Sequence, residues 1–127
     1  MSYLLDTNII ITWLENELRE YPSVRKVIRN PENTVFLSSV VIWEIAIKRK
    51  LGKLTLPSNY YDILHDEHFT PLHITHSHAR LVESLPLHHA DPFDRLLIAQ
   101  AQSEHLTIIT MDKRFTQYNV MIFPSTS

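Results

Sequence analysis

Four carboxylic acids, Asp6, Glu44, Asp94 and Asp112, could do chemistry together if the fold gathers them. They lie 38, 50 and 18 residues apart, so only tertiary structure can bring them to one place. Crowded carboxylates repel one another, and a hard divalent cation with oxygen ligands is the usual relief. Mg²⁺ or Mn²⁺ is the natural choice. Such a centre orients and activates water and stabilises charge on a phosphodiester, which makes metal-assisted hydrolysis the reaction class.

Each acid also has a plainer explanation. Asp6 closes the apolar run Tyr3-Leu4-Leu5, and Asp112 follows Thr107-Ile108-Ile109-Thr110 with only Met111 between. An Asp between strand and helix is what a helix N-terminus favours. Glu44 is less ordinary: on a helix its neighbours three and four positions away are Val40, Val41, Ile47 and Lys48, so the carboxylate points into an apolar face. A buried Glu needs a partner, either Lys48 one turn on or a cation. Asp91-Pro92-Phe93-Asp94 reads as an N-cap, a proline at the first helical position and an acid at the third. Capping accounts for Asp91 better than for Asp94, which adjoins the apolar face of Leu97, Ile98 and Ala101 and is assigned the functional role.

Basic residues surround these positions. Lys48, Arg49, Lys50 and Lys53 extend the Glu44 segment, Arg95 adjoins Asp94, and Lys113 and Arg114 follow Asp112. A basic collar around an acidic, metal-loaded centre would attract a phosphate backbone, although solvated helix faces explain Arg49 and Lys50 equally well. The eight histidines are set aside as ligands, because His73, His76 and His78 span a strand-to-helix turn that would scatter their rings. Trp13 and Trp43, at helical spacing, are read as core or interface.

The elements that must position the acids follow from periodicity. Apolar β-branched runs mark strands at Tyr3–Leu5, Thr34–Leu37, Pro71–Ile74, Thr107–Thr110 and Val120–Phe123. Helical patterns follow Asp6, run from about Pro22 to Asn30, and extend from a Ser38 or Ser39 cap to about Lys50, with Gly52 as the stop. Further helices are predicted from Leu56-Pro57 to about His65, from Ser77 to Leu85, from Asp91-Pro92 to His105, and briefly from Asp112. Alternating strands and helices imply a doubly wound, mainly parallel sheet of about five strands in one domain over 1–127. In such sheets the active site lies beyond the carboxyl ends of the strands, where Asp6 and Asp112 both fall.

Composition narrows the chemistry further. There is no cysteine, which excludes disulfides, thiolate nucleophiles and zinc sites with sulfur ligands, and which fits a cytoplasmic compartment. Gly52 is the only glycine, so neither a P-loop nor a G-x-G-x-x-G turn can form. With 12 basic and 14 acidic residues the formal charge is −2, and any nucleic-acid site must be a local patch. Apolar runs of a few residues fall far short of a membrane span, so a soluble, unprocessed chain is expected.

Across nearly the whole chain the sequence resembles the PIN-domain nucleases, and within them the VapC-type toxins of bacterial toxin–antitoxin pairs. The resemblance is carried by Tyr3-Leu4-Leu5-Asp6-Thr7-Asn8, Ser38-Ser39 through Trp43-Glu44-Ile45, His88-His89-Ala90-Asp91-Pro92-Phe93-Asp94-Arg95-Leu96-Leu97-Ile98-Ala99, and Ile109-Thr110-Met111-Asp112. It implies that Asp6, Glu44, Asp94 and Asp112 form the family's acidic quartet, with no member missing. Asn8, Ser38 and Thr110 match positions that support the quartet by hydrogen bonds, and Asp91 joins them as a cap. Lys48, Arg95, Lys113 and Arg114 are then the candidate contacts to substrate, and the pair His88-His89 matches the lead-in to Asp91.

The implied activity is a Mg²⁺- or Mn²⁺-dependent endoribonuclease acting as a toxin. The implied partners are RNA, a cognate antitoxin and a second copy of the chain, with Ile10, Trp13, Leu14, Ile42 and Trp43 as apolar contacts. An antitoxin Arg or Lys would enter the acidic pocket. Competing readings are a PIN-fold nuclease of RNA processing and a non-catalytic metal-binding α/β module. A haloacid-dehalogenase-type phosphatase would need a second acid where Asn8 stands, and a receiver-like module would need paired acids where Asp6 stands alone.

Overall fold

Leu4 and Leu5 are wholly buried, as a strand covered on both faces requires, and they form the centre of the sheet. The computed structural model describes residues 1–124. Five strands, β1 (Ser2–Leu5), β2 (Thr34–Ser38), β3 (Thr70–Leu72), β4 (Thr107–Ile109) and β5 (Ile122–Phe123), lie in the order β3-β2-β1-β4-β5. Every pairing is parallel, and the register sets Leu4 between Phe36 and Ile108. The helices are α1 (Thr7–Asn16), α2 (Pro22–Arg29), α3 (Ser39–Lys50), α4 (Tyr60–Asp66), α5 (His76–Leu81) and α6 (Pro92–Glu104), with 3₁₀ turns at Val82–Ser84 and Lys113–Gln117. Among the described residues no helix is long and apolar enough to cross a membrane.

In a parallel sheet each strand's carboxyl end feeds the amino end of the next helix, so caps collect at one rim. Asp6 Oδ1 accepts from Ile9 N (2.8 Å) and Ser38 Oγ from Val40 N (3.0 Å). Asp91 Oδ1 accepts from Phe93 N (2.9 Å) and Asp94 N (3.3 Å), with Pro92 opening α6. Asp112 Oδ1 accepts from Arg114 N (2.9 Å). Helix ends show the cost of having one glycine: besides Gly52 at φ 72°, Glu17, Leu18 and His105 take left-handed φ values of 56–60° to turn the chain.

Two helices differ from their expected bounds. The helix placed from Leu56-Pro57 begins only at Tyr60, because the chain from Pro57 first makes a turn in which Pro57 O takes up Tyr60 N (3.0 Å). The helix placed over Ser77–Leu85 begins at His76 and tightens to a 3₁₀ turn from Val82. The histidines of that region part company. His73 and His76 are exposed, whereas His78 is buried, accepting from Thr75 N at Nδ1 (3.1 Å) and lying 2.9 Å from Glu104 Oε2 at Nε2. Ile10, expected as a partner contact, and Trp13, read as core or interface, are core residues at 0% and 2% exposure, while Trp43 is half exposed.

Candidate metal centre

Strand order reverses between β1 and β4, since the chain runs outward through β2 and β3 on one side and through β4 and β5 on the other. At such a switch point the loops of an open α/β sheet diverge to opposite sides, which is where ligand crevices form, at the carboxyl ends of the strands. Asp6 leaves β1 at this point, its N–H donating to Ile109 O (3.2 Å). Thr110, at the end of β4, couples the two sides: its hydroxyl donates to Asp6 Oδ2 in a short bond and accepts from Asp112 N (3.0 Å). Glu44 reaches the crevice from the middle of α3, which packs on α1 and α6. Thr7 Oγ1 donates to Glu44 Oε1 (2.6 Å), and Lys48 Nζ lies 2.6 Å from Oε2. Asp94 comes from the first turn of α6, its side chain 13% exposed.

Burial and crowding treat these acids differently. Asp6 is pushed up from its ordinary 3.8 to about 7, first by burial and then by Asp94 and Asp112, against the lowering effect of the Thr110 and Ile9 bonds. Asp94 rises to about 6, through burial and then the charges of Asp91 and Glu44, with His89 opposing. These mutual effects make the acids one electrostatic unit. Asp112 moves the other way, lowered chiefly by its hydrogen bonds from Arg114, whose Nη2 lies 2.7 Å from Asp112 Oδ2 and 3.8 Å from Asp94 Oδ2. Glu44 and Asp112 therefore each carry an internal counter-cation. Among the described residues, Asp6 has no basic side chain within ion-pair distance.

The sequence matches the family model of the PIN domain over residues 3–120. The chain belongs to the PIN-domain family. Members are typically nucleases and generally use divalent metals. No curated protein matches the sequence. Among solved structures, this PIN domain is similar to VapBC2 from Rickettsia felis bound to a DNA fragment from their promoter, with TM-score 0.74 and 20% identity, covering 96% of this chain and 97% of that one. It is also similar to FitAcB from Neisseria gonorrhoeae, with TM-score 0.67, 23% identity and coverages of 95% and 96%. A third is VapBC-5 of Mycobacterium tuberculosis, a member of the VapBC family of toxin–antitoxin systems, with TM-score 0.60, 20% identity and coverages of 95% and 96%. At these identities the likeness is one of fold.

Among the described residues of this PIN domain, no three His, Asp or Glu side chains converge into a ready metal cage, with Lys48 on Glu44 and Arg114 on Asp112. The donor set nevertheless suits a hard divalent cation: it is all oxygen, and its two most perturbed acids are those with the least neutralising charge. Asp6 and Asp94 are the first candidates to hold an ion, and Glu44 and Asp112 could join once released from their counter-cations.

The other candidate residues are placed as follows. Asp91 caps α6. Ser38 donates to Gln100 Oε1 (2.6 Å) and caps α3, so it ties the start of α3 to α6; among the described residues its hydrogen bonds reach none of the four acids. Asn8 is exposed on the first turn of α1, and among the described residues its side chain makes no hydrogen bond. Lys113 is exposed beside Arg114.

Arg95 does not belong to the basic collar. Its guanidinium is buried under the loop before α6, where Nη1 donates to Pro86 O (2.7 Å) and Tyr118 Oη (3.3 Å) and Nη2 to Val82 O and Leu85 O (both 3.2 Å). Adjacent helix positions differ by about 100° in direction, so Asp94 can face the crevice while Arg95 faces the loop. Arg95→Met should lower stability by about 3 kcal/mol, since the Pro86 and Leu85 carbonyls lose their donor and Val82 O keeps only the Leu85 N–H. The urea midpoint checks this, and a phosphate-contact role would instead leave it unchanged. Thr7, Gln100, His89 and Tyr118 were not singled out as site residues by the sequence. Of these, Thr7 carried a local signal as a hydroxyl next to Asp6 at a helix start, and His89 carried one as part of the His88-His89 lead-in to Asp91.

Proposed function

We propose that this PIN-domain protein is a Mg²⁺- or Mn²⁺-dependent endoribonuclease and the toxin of a VapBC-type toxin–antitoxin pair. The observation that carries this reading is Asp6, 3% exposed at the switch-point crevice, beside Asp94 and without a counter-cation of its own. Asp6 and Asp94 would hold the ion, with Glu44 and Asp112 completing the acidic wall. Once bound, the cation would polarise a phosphodiester and lower the pKa of an attacking water.

The chain's own residues supply the rest. Thr110 fixes Asp6 against Asp112, and Thr7 fixes Glu44. Lys48 and Arg114 are 39% and 55% exposed, and they are free to turn from carboxylate to phosphate when a cation takes over the neutralisation. Lys113 extends that basic edge.

The toxin assignment is supported by the fold likeness to VapBC and FitAB proteins. Trp43, half exposed and edge-on to Phe93 at 4.9 Å, offers an apolar shelf beside the acids for an antitoxin or a second copy in a homodimer. Arg114 illustrates how an antitoxin arginine could act, since a guanidinium already bonds Asp112 and approaches Asp94.

The test is purified protein on a mixed panel of transfer, ribosomal and messenger RNA, with Mn²⁺ or with chelator. Cleavage that requires metal supports the nuclease. Growth arrest on expression, relieved by co-expressing the product of an adjacent small reading frame, supports the toxin. Metal-dependent cleavage without arrest would place the enzyme in RNA processing, and no cleavage of any RNA would overturn the assignment.

A further inference from the structure

The loop before α6 carries a polar chain that ends at Asp94. The Tyr118 side chain lies between His88 and His89, edge-on to both rings at centroid distances of 4.9 and 5.4 Å, and the residue is 5% exposed. Its hydroxyl oxygen accepts from Arg95 Nη1 (3.3 Å) and from the backbone N–H of His89 (3.3 Å). It also lies 3.0 Å from His89 Nδ1. A phenol oxygen has two lone pairs and one proton. With both acceptor positions taken, the proton is what remains for Nδ1. The count fixes the tautomer: Nδ1 accepts from Tyr118, and the ring's own hydrogen sits on Nε2.

That nitrogen is buried in a side chain only 8% exposed, and it has no aligned hydrogen-bond partner. The atom it faces is Asp94 Oδ2, at 3.4 Å. A buried N–H without an acceptor is costly, and a small movement of the carboxylate would satisfy it. The neighbouring ring of Phe115, 1% exposed with its centroid 6.3 Å from that of His89, lines the same pocket.

We propose that His89 is a positioning residue for Asp94, held by Tyr118 with its Nε2–H turned toward the Asp94 carboxylate. Arg95 anchors the device by pinning Tyr118 and the carbonyls of Val82, Leu85 and Pro86, which fixes the loop carrying His89. The nitrogen nearest the acids carries a proton, so His89 acts on the ligand and is not itself one. The role rests on the reading that Asp94 binds a divalent cation. Partners that orient a ligand in this way are typically worth 10- to 100-fold in metal affinity.

The experiment has two arms. Nitrogen-15 spectra of the metal-free protein should show His89 as the Nε2–H tautomer in the wild type and a mixture in Tyr118→Phe. The Nε2 resonance should move in Asp94→Asn. Mn²⁺ titration by calorimetry should then give an affinity about 10-fold or more weaker for His89→Ala. His89→Gln, whose amide can place an N–H near the Nε2 position, should recover most of that loss. A wild type with hydrogen on Nδ1 overturns the assignment. So does a His89→Ala variant that binds Mn²⁺ as the wild type does, or a Gln variant no better than Ala. If the wild type binds no Mn²⁺, the metal reading of the site fails. The spectra then decide the His89–Asp94 contact alone, and an Nε2 resonance indifferent to Asp94→Asn sinks it.

Discussion

Asp94→Asn is expected to remove metal-dependent RNA cleavage, by more than about 100-fold, while leaving the fold intact. The amide keeps the shape of the side chain but not the charge a hard cation requires, and losing a direct ligand should exceed the loss typical of an orienting partner. Nothing in α6 depends on the Asp94 carboxylate for its start, since Asp91 supplies the cap. Asp6→Asn should be as inactive, with an added structural effect. Its Oδ1 can still accept from Ile9, but Thr110 already accepts from Asp112 N and would have to turn from donating to accepting as well. Asp91→Asn keeps an acceptor for Phe93 and Asp94 N–H groups and should lose much less. The checks are cleavage rates under saturating Mn²⁺ with circular dichroism on each variant. Equal losses at positions 91 and 94 would mean that the separation of cap from ligand is wrong.

That separation also shows how far the sequence speaks. Asp6 and Asp112 can be located because strand ends are visible as apolar β-branched runs, and a parallel sheet brings such ends to one rim, whereas Asp94 is located by the Asp91-Pro92 helix start and the apolar face beside it. Glu44 can be located because a charge inside an apolar helix face demands a partner. The structure supplies Lys48 and Thr7 together, so the intrahelical pair and the placement among the acids coexist. What stays hidden is whatever depends on distant partners. Arg95 sits next to Asp94 in the chain and looks like part of the collar, yet its direction is set by carbonyls 9, 10 and 13 residues away in an irregular loop. Ile10 and Trp13 could be read as partner contacts because helical spacing shows a face without showing what covers it. His89 gave a motif and a general part in positioning the loop before Asp91, but not its link to Asp94, since that depends on a tyrosine 29 residues on.

The metal-free protein should lose stability as the pH rises from 5 to 8, the reverse of ordinary acid denaturation. In the unfolded chain Asp6 ionises near 3.8, whereas in the fold it holds its proton until about 7. Between those values the folded state binds more protons, so each increase in pH favours unfolding, and above 7 the penalty is complete. Asp94 adds a smaller effect of the same sign up to about 6, partly screened by solvent. Asp112, whose folded value is lowered, contributes stability above its unfolded value and loses it only in stronger acid, outside this window. Asp6 alone is worth on the order of 3 kcal/mol, enough to move the melting midpoint by roughly ten degrees. A divalent cation that binds only the folded state offsets this by RT ln(1 + [L]/Kd), about 2.7 kcal/mol at 100 Kd. Because Asp6 and Asp94 must be ionised to bind it, the Mn²⁺-induced rise in midpoint should be small at pH 5 and grow through pH 7. Asp94→Asn should abolish most of that rise and slightly stabilise the metal-free protein at pH 8, where one repelling charge has gone. Thermal melts with chelator or millimolar Mn²⁺ across this range give both slopes at once. If midpoints are flat with pH and alike with and without Mn²⁺, in wild type and Asp94→Asn, these acids serve only as helix caps and structural hydrogen-bond partners, and the nuclease reading loses its physical basis.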